Sequence, residues 1–281
     1  MLEATLYVVA TPIGNLQDIS ARAIEVLGRV DLIAAEDTRH SGQLLHKLGI
    51  SKPMFSYHEH NEQGRGRQLV AKLQAGQSIA LISDAGTPLI SDPGYLLVRE
   101  CHQLGIPVVS VPGPSALIAA LSVSGLPTDR FSFEGFLPRT PGKRRALLES
   151  LVDDARTLVF YESSHRILHA LEDLRQVFGE DREAAIAREL SKRFETLLTG
   201  ALGELHARML ADVNQRKGEF VLMVAGRRDD ESMPDAARVE ARQLMRLLLA
   251  ELPAGKAAAI AAELLGGRKK AYYQLALELK A

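Results

Sequence analysis

The sequence has one cysteine, no tryptophan and no apolar run long enough to span a membrane. A single thiol, that of Cys101, excludes an intrachain disulfide and a zinc site built from cysteines. A membrane-spanning helix needs about 20 apolar residues and no signal core follows the N-terminus, so we expect a cytoplasmic protein that binds no membrane. The formal net charge of -1 gives no overall attraction to nucleic acid, so any such binding must depend on local basic patches.

The sequence also lacks the short fingerprints of common cofactor and metal sites. Neither the Gly-x-Gly-x-x-Gly loop of dinucleotide-binding folds nor a Walker Gly-Lys-Ser/Thr segment is present, which argues against nicotinamide and ATP-hydrolysing chemistry. His58 and His60 stand two apart on an extended segment, so their side chains point to opposite sides. No third ligand follows at a usable spacing, and we therefore expect no metal site.

Residues 79–94 form the most informative stretch that is present. Four apolar residues at 79–82 predict a buried strand, and the loop after it holds two Gly, two Pro and two Asp before a helix-like stretch at 95–104. In parallel α/β sheets, loops at the carboxyl ends of the strands carry the ligand site. Asp84 and Asp92 are able to hold turns or to bind ligand hydroxyls, and both interpretations stay open for each residue.

Strands that end in polar or glycine- and proline-rich loops recur along the chain. They lie at 6–10, 32–35, 54–57 and 108–111 in the first half, and at 157–161, 184–187 and 218–224 in the second. The alternation of strands with helices predicts two α/β domains, 1–128 and 129–226, followed by a small helical appendage at 238–281. Two helices of that appendage, joined by a glycine turn that leads into Arg268, resemble a helix-turn-helix hairpin, which either contacts nucleic acid or only packs.

A basic segment follows three phenylalanines at 131, 133 and 136. Its cations are Arg139, Lys143, Arg144 and Arg145. Such cations are able to bind phosphates while neighbouring rings stack on bases. A solvated linker that leads into a helix at 144–151 explains the same composition. We place the boundary between the two domains in this region.

Seven motifs spread over nearly the whole chain agree with one another. They are Thr-Pro-Ile-Gly-Asn-Leu at 11–16, Glu-Asp-Thr-Arg at 36–39, Tyr-His-Glu-His-Asn-Glu at 57–62, Ser-Asp-Ala-Gly-Thr-Pro-Leu-Ile-Ser-Asp-Pro-Gly at 83–94, Tyr-Glu-Ser-Ser-His-Arg at 161–166, Arg-Glu-Leu at 188–190 and Lys-Gly-Glu-Phe at 217–220. In these motifs the sequence resembles the tetrapyrrole methylase superfamily of S-adenosylmethionine-dependent enzymes, and within it the members that methylate small-subunit ribosomal RNA.

The resemblance implies two α/β domains of tetrapyrrole methylase type, a homodimer, and S-adenosylmethionine bound in the cleft between the domains. The implied substrate is the 2'-hydroxyl of a cytidine in the decoding region of 16S rRNA, within the assembled small ribosomal subunit. The superfamily's Gly-Gly-Asp-Pro loop falls on 85–88, where Thr87 replaces the aspartate, and we expect Asp84 to compensate. By position, the residues expected near the methyl donor are Pro12, Asp84, Ala85, Gly86, Thr87, Pro88, Leu89, Ser115, Ala116, Tyr161, Glu162, Leu190 and Gly218.

A ribose hydroxyl becomes a good nucleophile when a base takes its proton. Candidates at strand ends are His58, Glu36, Asp37 and Glu162, although Glu36 or Asp37 is also suited to capping the next helix. Candidates for RNA binding are Arg39, Arg139, Lys143, Arg144, Arg145, Arg166 and Lys192. Two other functions stay open: methylation of a tetrapyrrole or other small molecule, and a non-catalytic RNA-binding role in ribosome assembly.

Overall fold

The computed structural model describes residues 4–58, 61–227, 235–266 and 269–279. The strands are β1 Leu6–Val9, β2 Leu32–Ala35, β3 Met54–Ser56, β4 Ile79–Ile82, β5 Val108–Val111, β6 Phe131–Phe136, β7 Thr157–Ser163, β8 Glu183–Arg188, β9 Thr196–Ala201 and β10 Glu219–Val224. The helices are α1 Ala21–Arg29, α2 Thr38–Lys47, α3 Glu62–Gln74, α4 Tyr95–Gln103, α5 Ala116–Val123, α6 Pro141–Leu151, α7 Ile167–Phe178, α8 Leu202–Ala211, α9 Asp235–Glu251, α10 Ala254–Leu265 and α11 Lys269–Glu278.

The first five strands form a parallel sheet in the order β3-β2-β4-β1-β5. Side chains alternate across a strand, so Leu81 packs into one core with α3 and α4, while Ile82 packs into a second core with α1. Burial of β2 and β4 on both faces explains why they read as continuous apolar runs. Because all five strands run the same way, the loops at their carboxyl ends meet at one edge.

The second sheet is mixed, in the order β6-β7-β10-β8-β9. β6 runs parallel to β7, whereas β10 is antiparallel to both β7 and β8, and β9 is antiparallel to β8. Two of its strands are not among the predicted ones, because the alternation at 131–136 reads as a boundary segment and β9 has little apolar pattern. Helix α5, which follows the first sheet, packs its Leu117 and Leu121 against this second sheet.

The chain divides into two compact units. One comprises the chain up to Ser150 together with Thr157–Ala225, and holds both sheets. The domain boundary predicted at 128/129 falls inside this unit, between α5 and β6. The other comprises Leu151–Arg156 and the chain from Gly226. The α/β class with a helical C-terminal part is confirmed.

The second unit has its own small core, built from residues such as Met245, Ala258 and Tyr272. The Tyr272 hydroxyl donates a hydrogen bond to the carbonyl of Gly266, 2.7 Å away, which fastens α11 to the end of α10. Arg268 of the predicted glycine turn lies outside the described residues, as does His60. Within the described ranges, no helix combines the length and apolar character needed to cross a membrane.

Candidate active site

Three loops at the carboxyl edge of the first sheet are tied together by hydrogen bonds. Thr11 and Gly86 exchange backbone hydrogen bonds of 2.8 and 3.1 Å, and the Thr11 hydroxyl donates to the Ser83 carbonyl at 3.2 Å. Gly86 adopts a φ of 80°, which favours glycine. The Thr87 hydroxyl donates to the Pro114 carbonyl at 3.0 Å. Thr87 therefore joins the loop after β4 to the loop after β5.

A cavity of about 510 Å³ lies in the first unit, between these loops and the ends of β7, β8 and β10. A volume of this size is typical of small-molecule sites. It brings together ten of the residues expected near a methyl donor: Asp84, Ala85, Gly86, Thr87, Ser115, Ala116, Tyr161, Glu162, Leu190 and Gly218. Its lining also includes residues that were not expected there, among them Ile13, Ile90, Ser91 and Phe136, and it includes Asp92, for which a ligand-binding role was open.

Pro12, Pro88 and Leu89 are not part of this lining. Leu89 has a φ of 73°, and its side chain packs against the core of the first sheet, so close to Gly94 that an added Cβ there would lie 3.0 Å from Leu89 Cδ1. The side chain of Leu89 therefore positions the loop through its contact with the core and does not line the cavity. A leucine in the left-handed region is uncommon, and no residue pattern in the loop predicts this direction of the side chain.

Glu162, at the end of β7, is a buried carboxylate in the cavity wall. Its Oε1 accepts hydrogen bonds from the Ser163 amide at 2.7 Å and forms an ion pair with Arg166, also at 2.7 Å. Its Oε2 is buried and has no hydrogen-bond partner within the described part of the chain. A buried carboxylate oxygen without a donor is costly, so this atom is suited to accept a hydrogen bond from a ligand.

Two aromatic residues, Tyr161 and Phe136, also line the cavity. The Tyr161 hydroxyl accepts a hydrogen bond from the Leu117 amide at 3.1 Å, at the start of α5, and burial raises the pKa of this hydroxyl. Its ring meets those of Phe133 and Phe136 edge to face, with centroids 4.8 and 5.5 Å away. Phe133 belongs to the core, whereas Phe136 is 53% exposed.

Asp92, for which both a turn-forming and a ligand-binding role were open, is a half-buried carboxylate in the cavity lining. Burial raises the pKa of its carboxyl to about 6, the nearby charge of Asp84 adds to the rise, and a hydrogen bond from Ser83 opposes it. Such a group changes its protonation state close to neutral pH. In the sequence, the signal for such a group is the presence of two aspartates, Asp84 and Asp92, in the same loop.

The four predicted bases occupy different environments. Asp37 caps α2, accepting hydrogen bonds from the amides of Arg39 and His40 at 2.8 and 3.4 Å, which lower the pKa of its carboxyl. Its own amide donates to Asp84 Oδ1 at 3.1 Å. Glu36 and Glu162 line the cavity, whereas His58, half-buried at the end of β3, is not part of its lining.

Arg144 requires a correction. Its side chain is 4% exposed, and it binds Asp173 of α7 with distances of 2.7 Å from Nε and 2.6 Å from the second guanidinium nitrogen. Arg145 binds the other Asp173 oxygen at 2.7 Å. Helix α6 begins at Pro141, and its fourth residue faces inward, so Arg144 joins two helices and is not available to bind RNA.

The other predicted RNA-binding residues differ in their exposure. Arg166 is paired with Glu162, and Lys192, which lines the cavity, binds Glu189 at 2.8 Å and Glu219 at 3.0 Å. Cations on the surface are Arg39, Arg139, Lys143 and the half-exposed Arg145.

Comparison with known proteins gives a consistent assignment. Residues 5–206 match the family model described as Tetrapyrrole (Corrin/Porphyrin) Methylases, and residues 235–280 match the model described as RsmI C-terminal HTH domain. Ribosomal RNA small subunit methyltransferase I of Pseudomonas aeruginosa is 55% identical over 99% of this chain and 98% of its own length. The protein of the same name from Escherichia coli O157:H7 is 54% identical over 98% of this chain and 96% of its own.

Solved structures share the fold at much lower sequence identity. Diphthine synthase matches with a TM-score of 0.59 and 16% identity, covering 79% of this chain and 90% of its own. The cobalamin biosynthetic enzyme cobalt precorrin-4 methyltransferase matches with a TM-score of 0.56 and 14% identity, covering 79% and 95%.

Proposed function

Since the chain belongs to the tetrapyrrole (corrin/porphyrin) methylase family, we propose that it is an S-adenosylmethionine-dependent methyltransferase of small-subunit ribosomal RNA. Its acceptor in this proposal is the 2'-hydroxyl of a cytidine in the decoding region of 16S rRNA, modified in the assembled small subunit by a cytoplasmic homodimer. The substrate assignment is supported by relatives named as small-subunit rRNA methyltransferases that match nearly the whole chain at more than 50% identity.

The observation that carries donor binding is Glu162, a residue of the cavity lining whose buried Oε2 lacks a hydrogen-bond donor among the described residues. Carboxylates also outnumber cations in the lining: Glu36, Asp84, Asp92 and Glu219 accompany Glu162, against Lys192. A cavity of this charge suits a cationic ligand. When bound, S-adenosylmethionine supplies an electrophilic methyl group on a positively charged sulfur.

The residues that would hold the donor are those brought together in the cavity wall. The loop at 84–87 and the start of α5 offer backbone amides, Tyr161 fixes that start, and Glu162 accepts a hydrogen bond. The expected residues that do not line the cavity have an indirect role, which is to fix the course of the loops. They are Pro12, Pro88 and Leu89. This arrangement contributes alignment, which in a displacement reaction is a large part of catalysis.

Methylation requires a base that accepts the proton of the acceptor hydroxyl. The predicted candidates differ in how well their positions and partners suit them to this role. Glu36 lines the cavity. Asp37 caps a helix, and the amide hydrogen bonds that it accepts lower the pKa of its carboxyl, so it is a weaker base. Glu162 is already paired with Arg166. His58 would need the substrate to reach beyond the cavity. Phosphates of the RNA would meet the exposed Arg39, Arg139, Lys143 and Arg145.

The test is transfer of a labelled methyl group from S-adenosylmethionine to small ribosomal subunits isolated from cells that lack this protein, with naked rRNA and a porphyrinogen in parallel reactions. We expect label from the subunits in an alkali-resistant dinucleotide, because a methylated 2'-oxygen cannot assist cleavage of the adjacent phosphodiester. Label in the bases of the rRNA would contradict methylation of the ribose but would still indicate an rRNA methyltransferase.

Two other functions give different results in the same experiment. Label only in the porphyrinogen would indicate a tetrapyrrole methyltransferase. Tight binding of S-adenosylmethionine without transfer to any of the three would indicate a non-catalytic assembly factor. The match of residues 235–280 to a C-terminal domain model named for RsmI favours the RNA substrate over both.

A further inference from the structure

Phe136 is an aromatic side chain that remains 53% exposed although it lines the cavity. Its ring packs against the ring of Tyr161 in an edge-to-face contact with centroids 5.5 Å apart, so it is held in place while much of it faces solvent. Exposed, positioned aromatic rings are the surfaces on which proteins stack unpaired nucleobases. By contrast, Phe131 at the other end of the same strand is 38% exposed and lies outside the cavity lining.

The loop that carries Asp92 lies directly beside the end of the strand that carries Phe136. A Cβ added to Gly135 would lie 3.7 Å from the hydroxyl oxygen of Ser91. Gly135 and Ser91 have φ values of 69° and 67°, so both segments bend sharply at the point where they meet. A nucleoside with its base on Phe136 would therefore have its sugar within reach of residues 91–92.

Asp92 differs from the other carboxylates of the cavity in its partners. Glu162 is paired with Arg166, Glu219 with Lys192, and Asp84 accepts the Asp37 amide. Among the residues that the structure describes, the charged or titratable groups that act on Asp92 are Asp84 on its own loop and Tyr161 on β7, neither of which is a cation. The pKa of the Asp92 carboxyl, about 6, suits a general base that works near neutral pH.

We propose that Phe136 and Asp92 form the subsite for the acceptor nucleoside, with the Phe136 ring stacked on the base and the Asp92 carboxylate receiving the proton of the 2'-hydroxyl. This inference rests on the function proposed above. The 2'-oxygen forms its bond to the methyl carbon as its proton passes to Asp92. The electron pair of the broken carbon–sulfur bond remains on sulfur, whose positive charge is thereby neutralised.

Phe136→Leu tests the stacking half of the subsite, with Phe131→Leu as the matched control on the same strand. We expect Phe136→Leu to raise KM for small subunits, and Kd for subunits in the absence of S-adenosylmethionine, by about 5- to 150-fold, the range found when a stacked base loses its ring. Affinity for S-adenosylmethionine should not change, which also shows that the variant is folded. Equal KM and Kd values for the two variants would overturn the stacking role.

Asp92→Asn tests the base, with Asp181→Asn, an exposed residue in the turn before β8, as the control. General bases contribute about 10²- to 10⁴-fold, so we expect kcat to fall by that factor with KM for small subunits unchanged. The wild-type single-turnover rate should rise with pH and level off above about 6, the bend being absent from Asp92→Asn. A variant that keeps wild-type turnover and the same bend would overturn the role of Asp92.

The result for the wild-type protein separates the two proposals. If it transfers no label to ribose, the proposed function fails and the subsite fails with it. If it methylates ribose while Phe136→Leu and Asp92→Asn behave as their controls do, only the subsite is wrong.

Discussion

At the scale of the residue, the raised pKa of Asp92 makes the stability of the protein depend on pH. The carboxyl has an ordinary pKa of 3.8 and a pKa of about 6 when folded, so folding opposes its ionisation. The unfolded chain therefore loses its proton first, and the free energy of unfolding falls as pH rises from about 4 to about 6. Above pH 6 the whole penalty is present.

Asp92→Asn should therefore stabilise the protein above pH 6 and have little effect at pH 4. We expect a gain of about 1 kcal/mol at pH 8, less than the full shift implies because water at the open side of the cavity screens the charge. Urea denaturation of the ligand-free protein at both pH values measures it. A gain of equal size at pH 4 and pH 8 would contradict the explanation.

Glu162→Gln probes the buried Oε2. A hydrogen bond to a charged group is typically worth about 1.5–3 kcal/mol, so we expect affinity for S-adenosylmethionine to fall by about 10- to 150-fold in isothermal titration calorimetry. Glu172→Gln is the matched control, because Glu172 also forms an ion pair with an arginine, Arg175 at 2.7 Å, but lies outside the cavity lining. If Glu162→Gln binds S-adenosylmethionine as tightly as the wild-type protein does, the proposed hydrogen bond is excluded.

Residue types and motifs located the loops of the candidate site, but they did not give the direction of each side chain. Gly86 has the positive φ expected of glycine, whereas Leu89 and Ser91 adopt one without that signal. Arg144 was misassigned because buried arginines are rare and nothing in the sequence links it to Asp173, 29 residues away. Orientation in both cases depends on contacts distant in sequence.

At the scale of the element, the Arg144–Asp173 ion pair joins α6 to α7. Arg144→Met leaves the buried Asp173 carboxylate with the half-exposed Arg145 as its remaining cation, so the free energy of unfolding should fall by about 3 kcal/mol, the lower end of the range for a broken buried pair. The double variant Arg144→Met/Asp173→Leu should recover part of that loss in urea denaturation. The exposed Arg29–Glu25 pair on α1 provides the control, and Arg29→Met should cost less than about 1 kcal/mol. Comparable losses for the two single variants would contradict the structural role.

Strands with two buried faces could be predicted from sequence, and edge strands could not. β4 and β8 are runs of apolar residues, because helices or neighbouring strands cover both sides. β9 pairs only with β8, exposes part of its length and contains Gly200, so its sequence has no clear period. β6 is also an edge strand, and its mixture of aromatic and polar residues fits a surface segment equally well.

At the scale of the whole molecule, a net charge of -1 means that the proposed binding to RNA must depend on a few exposed cations. Each phosphate contact contributes about 0.7–0.9 to the slope of log K against log salt concentration. Arg139→Gln/Lys143→Gln should therefore weaken binding to small subunits and reduce that slope by about 1.5 in filter-binding titrations. Arg22→Gln/Lys47→Gln removes two exposed charges from α1 and α2 and should leave the slope unchanged. Equal slopes for both double variants would place the RNA elsewhere.

The membership of Leu151–Arg156 in the C-terminal unit has a consequence for synthesis of the chain. The Arg227 amide donates to the Asp154 carbonyl at 2.7 Å, and Gly226 packs so closely on Ala155 that a Cβ would not fit. These partners leave the ribosome roughly 70 residues after the segment does, a delay of about 4–14 s at ordinary translation rates. A nascent or prematurely terminated chain would thus expose Leu151–Arg156 to proteases. This exposed segment lies far in sequence from the end of the incomplete chain.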